Sequence, residues 1–245
     1  MPKPLKRHVQ QVLFKPHGGK RKGAGRPRKG TRSSERHQVR PRLRASEPVH
    51  VTIRALPAIS SLRKRDMFLA VREATICIAK YEDVRIVHIS IQGTHLHLIV
   101  EAHDRLALAK GMQAFQISAA KQINRVVLER TGTKRRGSVF TDRYHARILR
   151  TPREVRNCIA YVLNNWRHHG EHEATFARGW TVDPYSSGSS FSGWKELEDA
   201  EVMPHPPATY RALIVWRPKS YLLSTLWRRH GLIRVDEIPG GKHDD

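Results

Sequence analysis

The sequence predicts an α+β fold in which an antiparallel sheet and its helices follow the order β-α-β-β-α-β, with one further helix behind and a basic arm in front. Three observations lead there. Near residue 48 the texture changes from Gly, Pro and basic residues to alternating apolar and polar ones. Three stretches alternate with a period of two, as half-buried strands do, and two long segments between and after them carry helical periodicity.

The first strand is predicted over 49–54, where Val49, Val51 and Ile53 alternate with His50, Thr52 and Arg54. A helix follows over 61–81, with Met67, Val71, Ala74 and Ile78 on one stripe. Residues 85–92 alternate again, Val87, Ile89 and Ile91 against His88, Ser90 and Gln92. Gly93 and Thr94 supply a turn, and Leu96, Leu98 and Val100 then alternate against His95, His97 and Glu101, so the pair reads as a β-hairpin with one apolar and one polar face. A long helix is expected over 104–130, a loop of Gly and basic residues over 131–137, and a strand over 138–149. Thr151, Pro152 and Glu154 open the next helix, predicted over 151–169: Thr as N-cap, Pro at the first helical position, an acid in the first turn and Gly170 as the stop. The order is that of a split βαβ, or ferredoxin-like, sheet. Beyond it, 171–207 is rich in Gly, Ser and Pro, and 208–235 is expected to hold a helical stretch with Leu222, Leu226 and Trp227.

At 245 residues and 39% hydrophobic, the chain can bury one core of ordinary size with extensions. The expected division is a basic arm over 1–45, a folded domain over 46–170, and a linker with a helical extension over 171–245. The arm has too few large apolar residues to offset the entropy of ordering and is predicted to be disordered when free.

The net charge is +23, which points to a polyanion partner, nucleic acid first of all. It is unevenly spread: residues 1–45 hold fifteen Lys or Arg and one acid, Glu35. Within them, Lys20, Arg21 and Lys22 precede Gly25-Arg26-Pro27-Arg28. That stretch resembles an AT-hook, in which a narrow extended backbone lets Arg26 and Arg28 enter the minor groove; an unspecific phosphate-binding tail is the alternative. Lys134, Arg135, Arg136 and Arg143 are further candidates for DNA contact, and Trp216, Arg217, Lys219, Tyr221, Trp227, Arg228 and Arg229 mix stacking and phosphate-binding types.

Only Cys77 and Cys158 are present, without CxxC spacing, which excludes a disulfide framework and a thiolate zinc site. No apolar run approaches the roughly 18 residues of a membrane span, and no apolar leader is visible. A cytoplasmic, nucleoid-associated protein is expected, with no membrane partner.

His95 and His97, two apart on one strand, point the same way and can ligate one divalent cation. Glu101, on their face, is a possible extra ligand or supporting group; His88, His145, His168 and His169 are further candidates to join the site or bind phosphate. The segment Gln92-Gly93-Thr94-His95-Leu96-His97-Leu98-Ile99-Val100 resembles the His-hydrophobic-His motif of the HUH nucleases, and within them is most similar to the single-tyrosine transposases, especially the REP-associated ones. Residues 140–149, with Arg143-Tyr144-His145, are similar to that family's strand before its tyrosine helix, and the helix itself carries Tyr161. The resemblance covers about 48–169.

It implies that Tyr161 is the nucleophile and that Asn165, one turn later, completes a metal site with His95 and His97. At about 100° per residue, Val155, Cys158, Ile159, Val162 and Trp166 form the buried stripe of this helix, with Tyr161 and Asn165 together on its flank. Tyr144 is the competing nucleophile. The family further implies Mg²⁺ or Mn²⁺ as cofactor, a single-stranded or hairpin DNA substrate, a 5′-phosphotyrosine intermediate, and a monomer or homodimer. The rivals are a non-catalytic DNA-binding derivative of such a transposase and a replication-initiator or relaxase nuclease.

Overall fold

A computed structural model describes residues 40–141, 143–198 and 210–238. The segment with Lys20, Arg21, Lys22, Arg26 and Arg28 lies outside them. Four strands, β1 (Val49–Arg54), β2 (Val84–Ile91), β3 (His95–Ala102) and β4 (His145–Ile148), form one sheet in the order β2-β3-β1-β4, every pair antiparallel. Helices α1 (Arg65–Ile76) and α2 (Arg105–Thr131) connect them in the ferredoxin-like sequence β1-α1-β2-β3-α2-β4, and α3 (Pro152–His168) follows. Among the described residues no helix is long and apolar enough to cross a membrane.

One sheet face meets α1 and α2. Val49, Val51, Ile53, Ile89, Ile91, Leu96, Leu98 and Val100 pack there with Met67, Val71, Met112, Phe115 and Ile123. The helix expected over 61–81 begins only at Arg65, and its last turn tightens to a 3₁₀ turn at Cys77–Lys80. Asp104 caps α2 by accepting from Leu106 N and Ala107 N, and Gly132, at φ 66°, closes it in the left-handed conformation that glycine adopts without a Cβ clash.

The alternation in β2 is broken by a bulge. Ile86 pairs with Val100 but the next paired residue is His88, opposite Ile99, so Val87 is the extra residue. Val87 therefore leaves the α1/α2 face, where period two had placed it, and joins Ile99 and α3 in a second core on the other side. His88 shares that side, its ring edge-on to Phe191 at 5.4 Å.

Two C-terminal expectations are corrected. The strand expected over 138–149 pairs as a ladder only at β4, with an isolated bridge between Ala55 and Phe140. Leu56 N donates to Val139 O (2.8 Å) and Thr141 N to Arg54 O (2.9 Å), so among the described residues this stretch pairs only at the end of β1. Arg135 donates to the carbonyls of Gly137 and Ser138, and Ser138 Oγ to that of Phe140, which folds the loop before it onto itself. The helical stretch expected over 208–235 contracts to α4 (Tyr221–Ser224) and a 3₁₀ turn at Leu226–His230. Thr225, at φ −132°, separates the two, and the segment drapes Leu223, Trp227 and Ile233 onto α3.

This addition closes the sheet's β2 edge. Ile91 N donates to Tyr185 O (2.8 Å), Ile89 N to Ser187 Oγ (3.1 Å) and Trp216 N to Ile86 O (2.9 Å), which occupies backbone groups an open edge would offer to other chains. Arg63 fixes the strap with a bidentate pair to the buried Asp183 (2.9 and 3.0 Å) while donating to Ile91 O. At the other end packing begins before residue 46: Leu43 is buried, and Arg40 lies 3.7 Å over the Tyr144 ring.

Candidate active site

The start of β3, the middle of β1 and the flank of α3 converge on the sheet face opposite α1 and α2. In register, Thr52 sits across from His97 and Arg54 across from His95. The His95 and His97 rings are 4.7 Å apart and nearly perpendicular. α3 is seated over them by Val87 and Ile99 below and by Val155, Cys158, Ile159 and Val162 above. A capping box sets its start, Thr151 accepting from Glu154 N and the Glu154 carboxylate from Thr151 N.

Tyr161 is thereby brought edge-on to His97, ring centroids 5.2 Å apart, and remains half-buried. One turn later Asn165 is fully buried, and neither its amide oxygen nor its amide nitrogen has a hydrogen-bond partner. The structure thus gathers His95, His97 and Tyr161 and sets Asn165 on the same flank of α3. Of the other histidines, His169 joins the rim, 5.5 Å from the His95 ring, and His168 lies 6.3 Å from Tyr161. His88 is enclosed by Phe191 and Ser187, and His145 is exposed on β4.

Burial holds the site imidazoles neutral. His95 is pushed down to about 4, first by burial and then by the charges of His169 and Arg54. His97 is pushed to about 2, by burial foremost and then by His50, His95, His169 and Arg54. A neutral ring keeps a lone pair, and His97 Nε2 is buried with no hydrogen-bond partner. Two neutral imidazoles, one with a bare buried nitrogen, and a buried amide with an unsatisfied oxygen are donor types that a divalent cation accepts. Among the described residues no group of three or more His, Cys, Asp or Glu converges to hold an ion, so a cation here would rest on the two histidines and the uncharged Asn165 amide.

Two expected participants are elsewhere. Glu101 is buried, but its carboxylate accepts from Lys219 N (2.8 Å), Ser220 N (2.9 Å) and Ser220 Oγ (2.6 Å): it anchors the C-terminal addition and is no ligand. Its truncation in Glu101→Ala leaves buried donors unpaired, and a loss of about 3 kcal/mol is expected in urea unfolding. Tyr144 is packed with the α1/α2 core beneath Arg40, away from the histidine face, and burial raises its hydroxyl further.

Among the DNA-contact candidates, Lys134, Arg136 and Arg143 are exposed, whereas the Arg135 guanidinium is tied to its own loop. In the C-terminal addition Trp227 is buried and half-buried Trp216 packs against the first core, so neither ring is open for stacking; Tyr221, Arg217, Lys219, Arg228 and Arg229 remain exposed.

Sequence periodicity overlooked His50. It lies on the polar register of β1, but nothing in the spacing brings β1 beside β3. Its Nε2 is 3.1 Å from His97 Nδ1, and its ring stacks on His97 at 5.2 Å and meets Tyr161 edge-on at 5.9 Å.

These buried histidines make acid sensitivity a testable consequence. His88 and His50 are both pushed from 6.5 to about 4, chiefly by burial. As pH falls from about 6.5 towards 4, the unfolded chain takes up protons that the native state refuses, so stability present above 6.5 is lost through that window. The urea midpoint of the metal-free protein should fall markedly between pH 7.5 and 5; a flat profile would contradict the neutral, buried rings.

Residues 49–165, just under half the chain, match the family model described as "Transposase IS200 like". No curated protein matches the sequence. Among solved structures, the chain is similar to a REP-associated tyrosine transposase bound to a REP hairpin, at 15% identity over 74% of this chain and 99% of that one, with a TM-score of 0.49. It is also similar to a bacterial tRNA(His) guanylyltransferase-like protein in complex with GTP, at 17% identity over 56% and 71%, with a TM-score of 0.35. At these identities and scores, neither likeness bears on substrate or chemistry. The family match spans β1 to Asn165, the same stretch that builds the ferredoxin-like sheet and delivers the tyrosine helix to its histidine face, and over that stretch the chain is similar to the IS200-like transposases.

Proposed function

We propose that the protein is a metal-dependent endonuclease and strand transferase that acts on single-stranded, hairpin-containing DNA through a 5′-phosphotyrosine. The observation that carries this reading is the packing of Tyr161 against His97, whose outward nitrogen is bare and buried, with the unpartnered Asn165 amide one helical turn away.

In this reading His95, His97 and Asn165 hold Mg²⁺ or Mn²⁺. When bound, the cation polarises the scissile phosphate and neutralises the charge that develops on it. Tyr161 gives up its phenolic proton to solvent and its oxygen attacks phosphorus as the bond to the 3′ oxygen breaks, the leaving 3′ oxygen taking up a proton from solvent in return. The products are a free 3′-hydroxyl and a 5′-phosphotyrosine. Attack on that ester by another 3′-hydroxyl restores the tyrosine and transfers the strand, because the phosphodiester energy is kept in the covalent link. Exposed Lys134, Arg136 and Arg143, with the basic N-terminal arm, supply phosphate contacts.

The test is incubation with labelled single-stranded hairpin oligonucleotides and Mn²⁺ or Mg²⁺, followed by a denaturing gel. A metal-dependent covalent adduct is expected. Binding without an adduct across a broad oligonucleotide set would instead favour a DNA-binding protein that has lost cleavage.

Removal of residues 1–39 deletes twelve Lys or Arg and spares Arg40 and Leu43, which belong to the packed domain. DNA affinity should fall at least about tenfold near 0.1 M salt, and the slope of log affinity against log salt should flatten. Unchanged slope in a salt titration would show that the arm does not touch the phosphates.

A further inference from the structure

We propose that His50 is a positioning residue that fixes His97 in the tautomer whose Nε2 faces the site unprotonated. The proposal rests on the reading of His97 as a metal ligand.

His97 Nδ1 lies 3.1 Å from His50 Nε2 and 3.3 Å from Thr52 Oγ1. Two neutral imidazoles at this separation share one proton between the facing nitrogens, and its location decides the chemistry of the far side of His97. With the proton on His50, His97 carries its own on Nε2. That N–H would be buried with no acceptor, since Nε2 has no hydrogen-bond partner, and its lone pair would be lost to a cation. With the proton on His97 Nδ1, His50 Nε2 accepts it, Thr52 Oγ1 is a second acceptor in reach, and Nε2 keeps its lone pair. The second arrangement avoids an orphaned buried donor and presents a ligand.

The fold holds His50 to this task. It sits on β1, adjacent to β3 through a regular antiparallel ladder, and its side chain is half-buried. The stacked contact with His97 and the edge contact with Tyr161 restrict the ring on two sides. A partner on the non-ligating nitrogen orients a metal-binding histidine and strengthens it as a donor.

The test uses the full-length, metal-free protein with ¹⁵N-labelled histidine, in which long-range ¹H–¹⁵N spectra report the tautomer of each ring, and His97 is assigned by its loss in His97→Ala. The wild type should show His97 protonated on Nδ1. His50→Phe, which keeps a stacking ring but offers no acceptor, should move His97 towards the Nε2-protonated form and weaken Mn²⁺ binding about tenfold or more. His50→Gln, which restores an acceptor, should recover much of both. An Nε2-protonated His97 in the wild type overturns the proposal even if neither variant folds. So does wild-type Mn²⁺ affinity in His50→Phe while His97→Ala has lost it. Mn²⁺ binding retained in His97→Ala would overturn the ligand reading itself.

Discussion

Tyr161→Phe is expected to abolish the covalent protein-DNA adduct and to slow strand cleavage by at least about 10³-fold, since among the described residues Tyr161 is the tyrosine whose ring meets His50 and His97. Tyr144, the competing tyrosine, is buried in the opposite core under Arg40. The substitution removes one oxygen and keeps the ring that packs against His97 and His50, so stability should stay within about 1 kcal/mol and DNA affinity within about threefold of wild type. A denaturing gel and a binding titration on the same oligonucleotide decide it. Adduct formation at the wild-type rate would remove Tyr161 from its assigned role.

His97→Ala is expected to reduce metal-dependent cleavage at least about 100-fold, equivalent to roughly 3 kcal/mol of transition-state stabilisation. Its second signature needs no DNA. Mn²⁺ at about 100 times its dissociation constant should stabilise the wild type by about 2.7 kcal/mol, seen as a raised melting temperature, and this increment should vanish in the variant. Asn165→Ala should weaken the metal effect in the same direction while relieving an amide that is buried without partners. Equal Mn²⁺ stabilisation of wild type and His97→Ala would mean the cation sits elsewhere.

Much of this architecture was legible in the residues. Alternation put His50 and Thr52 on the polar side of β1 and, separately, His95 and His97 on the polar side of β3, because the side-chain period of a strand is two and the facing is fixed wherever the other face is buried. Thr151, Pro152 and Glu154 announced α3 by the chemistry of helix starts, and the observed capping box uses those residues. Tyr161 and Asn165 fell on one flank by helical geometry alone.

Other features depend on partners distant in sequence. The bulge at Val87 turned an apolar residue to the second core, and nothing in the local pattern distinguishes it from an inward-facing valine. Glu101, on the histidine face by period, is taken up by Lys219 and Ser220, more than a hundred residues later. The weak helical pattern over 208–235 yielded to the need to cover α3 and the β2 edge: Asn164 donates to the carbonyls of Arg234 and Glu237, and Arg156 pairs with Glu237.

By itself, the sequence determined the element order, the face on which the histidines stand, the helix that bears Tyr161, and a charge that calls for a polyanion. Those follow from periodicity and capping, which act over a few residues. Only the tertiary structure decided that β1 lies beside β3 and so that His50 meets His97, that Glu101 is an anchor, that Tyr144 is buried beneath Arg40, and that the C-terminal addition closes over α3. Each of these depends on which elements become neighbours, and that is set by packing of two whole sheet faces at once, a property no local window of residues contains.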